Sequence, residues 1–403
     1  MALIRPGRSS AATAVPPAAP GAYDAYITDV LTQVTGGPVR TYGWKKSDNS
    51  ITLLDTHTHD GNSWTVDGQT ISVSTKTGRL VTVTTSTINA AINDVQPGDT
   101  IQLHAGTYTG AYGPNAGYNS SQFILWRAQS GTASQPVHLT AYPGETVNIT
   151  NSAGNNFFCG HFVASDTCDY WNVSAMNLTG TTDNFYSGAN TGNELDPESG
   201  GRFWRIVGNL LHRTDSDNNV GQVEYGGDGL TVLANRFTNV PITTPNNQAH
   251  AIYIDSGADN CEIAYNRFEL RCEGFIVMIH QDGAGMQYDN NWIHHNYFQP
   301  QAGSGRARGF SQSNVANAST CLVEDNYFDG VGDAGNFGPI MVYRGTVTAK
   351  RNTFNNCFGN FCMETDNLMG GTRHLYYGTG ADANIVIGSL GLVGGTAGDF
   401  SAL

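Results

Sequence analysis

Lysine is nearly missing from this chain: there are four in 403 residues, at Lys45, Lys46, Lys76 and Lys350. Lysine and arginine together number 20 against 34 aspartates and glutamates, for a formal net charge of −14. No basic cluster interrupts that balance, which excludes a surface built for nucleic acid phosphates. Charged residues of both signs make up only 13%, so the exterior falls to Thr, Ser and Asn, as in extracellular β-proteins. No apolar run approaches the ~18 residues of a transmembrane helix, so no membrane partner is expected. No Cys-x-x-Cys pair occurs, which argues against a zinc site. The seven cysteines are odd in number, so at least one is unpaired. Cys159 with Cys168 and Cys357 with Cys362 are near enough for small loops, with their closure left open. The first 20 residues hold Arg5 and Arg8 but no apolar core of about 7–15 residues, so they do not read as a secretory signal. They read as an Ala/Pro-rich arm.

Glycine, by contrast, is abundant at 49 residues, which suits many short strands joined by turns. The strongest pattern is Asn-x-Phe at nearly constant spacing. It occurs at Asn235, Asn266, Asn296, Asn326 and Asn352, separated by 31, 30, 30 and 26 residues, and Asn209 extends the series upstream by 26. A fixed period means the chain passes the same structural point once per turn, so the fold is a stack of coils. Three residues before each Asn stand Ile206, Val232, Ile263, Ile293 and Val323. Two residues after stand Leu211, Phe237, Phe268, Phe298 and Phe328. Alternation before the Asn is the period of a strand, and the apolar column resumes after a bend. Stacked asparagines can then bond one another from coil to coil, as amide ladders do. Leucine-rich repeats, with their Leu signature, fit this pattern poorly.

Four segments follow along the chain. Residues 1–37 read as the arm followed by a short helix over 21–36, with Tyr23, Tyr26, Ile27, Val30, Leu31 and Val34 at helical spacing. Residues 38–85 read as a small β-rich unit, with turns at Asp67-Gly68 and Thr77-Gly78. The stretch from Ser86 to Val95 reads as a short amphipathic helix that starts at a capping Ser or Thr and stops before Pro97-Gly98. Such a helix would cover the open end of the stack. Residues 86–360 hold the solenoid, and 361–403 a C-terminal cap or oligomerisation segment.

The stretches AINDVQPGDTIQLHAGTYTG, SGTASQPVHLTAYPGETVNIT and HAIYIDSGADNCEIAYNRF resemble the right-handed parallel β-helix proteins of the pectin-lyase-like superfamily. The resemblance covers roughly residues 86–360. It implies an all-β right-handed parallel β-helix with an N-terminal capping helix. The superfamily includes polysaccharide lyases, epimerases, glycosidases and phage tailspikes. Its lyases abstract a proton beside a sugar carboxylate with a Lys, Arg or His/Tyr base, often with calcium, so calcium is the one candidate cofactor here. Only Lys350 lies in the stack, which sets a lysine base aside.

Candidate catalytic residues are His250, Tyr253, Asp255, His280 and Asp282. Counted back from Asn266 and Asn296, His250 and His280 fall at equal offsets of 16 and are expected to stack. Arg306, Arg308 and Arg344 follow on later coils as substrate-binding candidates. Trp292 lies between two inward positions and so faces out, which makes it a further substrate-binding candidate as a platform for sugar, whereas Trp204 falls on an inward column. Asp215 with Asp217, or Asp255 with Asp282, are the carboxylate pairs that glycoside hydrolysis would need. Adjacent His294 and His295 should point to opposite faces of a strand, which makes a shared metal ion unfavourable.

Two functional readings lead. In one, the chain is a virion-attached, tailspike-like fibre. It would be a homotrimer that binds host polysaccharide and meets other particle proteins through its N-terminal segment. In the other, it is a secreted extracellular polysaccharide lyase or related enzyme. A non-enzymatic decoration subunit is the third.

Overall fold

The computed structural model describes residues 22–29, 34–48, 50–58, 64–71, 77–109, 112, 124–125, 130–151, 157–158, 168–180, 185–187, 201–214, 222–239, 250–270, 274–280, 286–300, 308–313, 315–332, 338–357, 363–364, 373–377, 380–387 and 400–402. Among the described residues, three parallel sheets of eleven, eleven and nine strands form the solenoid, each strand pairing with its counterpart one coil away. One circuit goes from Glu262–Ala264 in the first sheet to Arg267–Leu270 in the second and Phe275–Ile279 in the third. The next circuit starts at Asn291–His294, in register with Glu262–Ala264.

The period read in the sequence is this circuit. Leu230, Val232, Ile263, Ile293 and Val323 are buried inside the first sheet. Phe237, Phe268, Phe298, Phe328 and Phe354 stack inside the second, with centroids 4.6–5.1 Å apart. Parallel pairing sets like over like, so each ring meets the next in an offset stack. The asparagines form a continuous ladder at the corner between these two sheets. Nδ2 of Asn209, Asn235, Asn266, Asn296, Asn326 and Asn352 each donates to Oδ1 of the next, at 3.0–3.1 Å. The ladder ends on Asn384, which lacks the Phe two places on and so escapes the sequence pattern.

The residue before each ladder Asn from Asn209 to Asn352 takes a left-handed conformation. φ is 64° at Gly208, 55° at Ala234, 56° at Tyr265, 53° at His295, 54° at Asp325 and 53° at Arg351. This bend turns the chain from the first sheet into the second, and it lines up one outward corner position per coil.

Ahead of the solenoid, β1 (Ala25–Thr28), β2 (Pro38–Lys45) and β3 (Ser50–Thr58) form an antiparallel sheet. The helix expected over 21–36 is therefore replaced, in its described part, by β1. Ala25, Tyr26, Ile27 and Thr28 are all buried, because β1 is covered on both faces, and two-sided burial mimics helical spacing. β4 (Trp64–Val66) and β5 (Gln69–Ile71) make a hairpin through Asp67 and Gly68, both at positive φ, as a tight hairpin turn demands. β6 (Leu80–Val83) already belongs to the first solenoid sheet. Helix α1 (Ile88–Asn93) then buries Ile88 and Ile92 against the first coils. At the far end, Arg373–Tyr377, Asn384–Ile387 and Phe400–Ala402 continue the parallel sheets.

The antiparallel sheet lies flat on the outer face of the first solenoid sheet. Ala25, Ile27, Tyr42 and Trp44 pack on Val207, Leu233, Ala234, Ala264 and Tyr265. Beside that apolar patch sits a fully buried polar knot. Asp29 accepts from Asn172 Nδ2 at 3.0 Å and from Ser174 Oγ at 2.8 Å. It also lies 3.4 Å from His138 Nε2 and 3.7 Å from Arg40 Nη1. Arg40 Nη1 in turn donates to Thr140 Oγ1 at 2.7 Å. A buried carboxylate is tolerable only when paired and bonded in this way. Cys261, Cys321 and Cys357 are free, buried thiols, and Cys168 is buried as well. Among the described residues no helix is long and apolar enough to cross a membrane.

Candidate active site

Strands alternate their side chains, so the third sheet turns Ile252, Ile254, Val277 and Ile279 into the core and its other positions outward. The outward column in mid-strand reads Glu224, Tyr253, Met278, Ser311 and Met341. One place past the strand ends, the coil-to-coil bonds of Asp255, His280, Ser313 and Tyr343 set up a second column. These two columns bring together three of the residues singled out from sequence. Tyr253 Oη lies 2.5 Å from His280 Nδ1, and Asp255 occupies the coil before His280 in the same column. Gly226 opens that column. A Cβ there would come within 2.9 Å of Asp255 Oδ1, so a bare glycine makes room for the carboxylate.

His250 does not stack on His280. It sits at the start of its strand, where its Nδ1–H donates to Phe275 O at 2.6 Å. The offset arises because the connection after the third sheet lengthens by five residues between these coils, from Ile254–Asn266 to Ile279–Asn296. Counting back from the ladder Asn therefore lands on the wrong position. His250 still reaches the group through Tyr253, whose ring centroid is 5.4 Å away. Burial drives the His250 imidazole down to about 4, its bond to Phe275 O opposes the shift, and the positive charges of Arg213 and Arg308 push the same way as burial. It is therefore neutral at pH 7, holding its proton on Nδ1.

Arg308 is buried at the head of its strand, with its guanidinium 5.8 Å from the Phe275 ring centroid. Arg344 is half-buried at the corner after the third sheet, and its carbonyl accepts from Gln312 Nε2 at 2.9 Å. Asp282, Arg306, Asp215 and Asp217 lie outside the described residues. Trp292 is on a different face. It points outward from the first sheet, and its Nε1 donates to Glu324 Oε1 at 2.8 Å. Trp204 is core, as its column requires. The candidates thus divide: His250, Tyr253, Asp255, His280 and Arg308 share the third face, and Trp292 does not.

A Tyr–His pair beside a carboxylate can move protons. The shared hydrogen can sit on either partner, so the pair can accept a proton at one atom and release one at another. Sequence reasoning missed Arg213, which ends a second-sheet strand and adds positive charge beside His250. Among the described residues, no group of three or more His, Cys, Asp or Glu converges to hold a metal ion.

These features define a class, the parallel β-helix proteins with an asparagine ladder and a polar outer face on the third sheet. No family model and no curated protein matches the chain. Among solved structures the chain is similar to an alginate lyase of the PL6 family, at 18% identity and a TM-score of 0.37, over 77% of this chain and 38% of that one. It is thus alike to little more than a third of that lyase. It is also similar to a pectate lyase, at 14% identity and a TM-score of 0.43, over 81% and 80% of the two chains. A polygalacturonase from Erwinia carotovora ssp. carotovora aligns at 15% identity and a TM-score of 0.39, over 83% and 99%.

Proposed function

We propose that this chain binds an acidic polysaccharide along the third face and cleaves it by β-elimination. The observation that carries the reading is the 2.5 Å contact of Tyr253 Oη with His280 Nδ1, beside Asp255. In that reaction a proton leaves C5 of a uronate, the C4–O bond breaks, and a C4=C5 double bond forms. The departing oxygen takes up a proton. Tyr253 and His280 supply the acceptor and the donor, with their roles set by which of them holds the shared hydrogen. Arg213 and Arg308 provide the positive field that an anionic chain needs on a protein of net charge −14.

The test uses the full chain, because the N-terminal sheet is packed on the solenoid. Incubation with polygalacturonate and with alginate should raise the ultraviolet absorbance of an unsaturated uronate. Tyr253→Phe should lower the rate by about 100-fold or more, the usual scale of acid–base catalysis. Binding with no absorbance change, by an assembly of three chains, would instead favour an attachment spike that meets particle proteins through its N-terminal segment. Neither binding nor absorbance change with any acidic glycan would end the proposal.

A further inference from the structure

Trp44, on β2, packs against the first face of the solenoid, whose outward corner positions change character along the stack. Under the sheet the left-handed corner positions are small: Ala175, Gly208 and Ala234. At the edge of the sheet comes Tyr265, still buried against Trp44, and then His295, Asp325 and Arg351. Trp44 meets this stripe edge-on, with centroids 5.5 Å from Tyr265 and 5.1 Å from His295. Tyr265 and His295 stack on adjacent coils at 5.1 Å.

The bend at His295 also overturns the expectation that His294 and His295 point to opposite faces. With φ at 53° the strand alternation is broken there, and both rings lie on the outer side, with His294 Nδ1 2.8 Å from His295 Nδ1. Behind them, Glu262 Oε1 lies 3.1 Å from His294 Nε2, and both residues are buried. A carboxylate can only accept here, so Nε2 of His294 carries hydrogen. In that Nε2–H tautomer His294 accepts at Nδ1, and the bridging hydrogen belongs to His295. This leaves Nε2 of His295 as a bare acceptor. Among the described residues it has no hydrogen-bond partner, and His295 is only half-buried.

Lys46 adds one positive charge near His295, and the acids and bases of the neighbouring coils pair with one another. Glu324 is met by Lys350 at 3.2 Å and by Arg351 at 2.6 Å. Arg351 also binds Asp325 at 2.8 Å and pairs with Asp382. Trp292, half-buried, lies parallel over His294 at 3.6 Å and is pinned by its bond to Glu324. The place offers a fixed indole, an aromatic corner and one unpartnered acceptor, with no net cationic excess to attract a polyanion.

We propose that this seam between the N-terminal sheet and the solenoid is a second carbohydrate site. It takes a neutral, hydroxyl-rich sugar, and one hydroxyl of that sugar donates to His295 Nε2. The Glu262–His294 pair fixes the tautomer that makes Nε2 an acceptor. This site is separate from the third face and does not depend on what happens there.

The experiment is calorimetric titration of the full chain with neutral gluco-, galacto- and manno-hexasaccharides, with polygalacturonate as comparison. At least one neutral hexasaccharide should bind saturably. His295→Asn is the informative variant, since Asn is among the residues that tolerate the left-handed corner best, yet lacks an atom at the Nε2 position. It should stay folded and bind roughly tenfold more weakly, about the worth of one hydrogen bond. Tyr253→Phe should bind the neutral sugar like the parent, which separates the two faces. Nitrogen NMR of labelled histidines should show His295 carrying hydrogen on Nδ1. Absence of neutral-sugar binding up to millimolar concentration, or undiminished binding by folded His295→Asn, would overturn the assignment.

Discussion

Asn296 Oδ1 accepts two hydrogen bonds from Asn266, one from the backbone N–H and one from side-chain Nδ2, both at 3.0 Å. Asn296 Nδ2 donates onward to Asn326 Oδ1, and also to the carbonyls of Ile263 and His294. One side chain therefore satisfies the groups that a left-handed corner turns away from the sheets. Asn296→Ala would leave buried donors and acceptors unmet on both neighbouring coils. At about 1–3 kcal/mol for each orphaned group, partly relieved by relaxation, the loss should be roughly 3 kcal/mol. Asn384→Ala should cost less, because that side chain, at the ladder's end, donates to the Ala349 carbonyl alone. Urea unfolding of the two variants measures both, and equal losses would remove the ladder as the cause.

That ladder was legible because parallel stacking sets identical residues one above another, so the period and the inward columns appear as sequence columns. The third-face group was half legible. Residue type singles out Tyr253 and His280, but connections of unequal length put His250 five positions out of step. The sequence divides the N-terminal sheet between a helix over 21–36 and a β-rich unit over 38–85, because docking on a flank leaves no periodic trace. The bend at His295 was also invisible. Most left-handed positions announce themselves as glycine, and here only Gly208 does so, while Ala234, Tyr265 and His295 take the same conformation through the ladder bonds beside them.

Gly208 is required for a second reason. Its φ is 64°, and a Cβ there would come within 2.0 Å of Tyr42 Oη. Gly208→Ala should therefore displace β2 from the first face and expose Trp44. The cost should be about 1–3 kcal/mol, the scale of overpacking at a buried contact. Trp44 fluorescence, taken as the difference from a Trp44→Phe parent, reports the displacement. Combining Gly208→Ala with Tyr42→Ala should return the Trp44 signal toward that of the parent. An unchanged signal in the single variant would mean that the sheet is held elsewhere.

Docking of the N-terminal sheet should weaken in acid, and the sign follows from two buried groups. Burial pushes the His138 imidazole down to about 4, with Arg40 and Arg205 adding to the effect and Asp29 opposing it. Once the sheet lifts and water reaches the ring, it returns toward its ordinary value near 6.5. Between those limits the open form binds more protons than the closed one, so docking is full above about 6.5 and declines as pH falls toward 4. Asp29 acts lower on the scale. Burial alone would raise its carboxyl, but His138, Arg40, Ser174 and Asn172 hold it below the ordinary value. Its contribution is therefore present above the usual carboxylate range and lost as pH falls through it. Trp44 fluorescence followed from pH 7.5 to pH 4 should show a progressive change well before global unfolding. His138→Gln keeps a donor toward Asp29 and Ser174 but cannot titrate, so it should flatten the slope between pH 6.5 and 4 while leaving the steeper loss at lower pH. A slope unchanged by that substitution would assign the acid response to groups outside the buried knot.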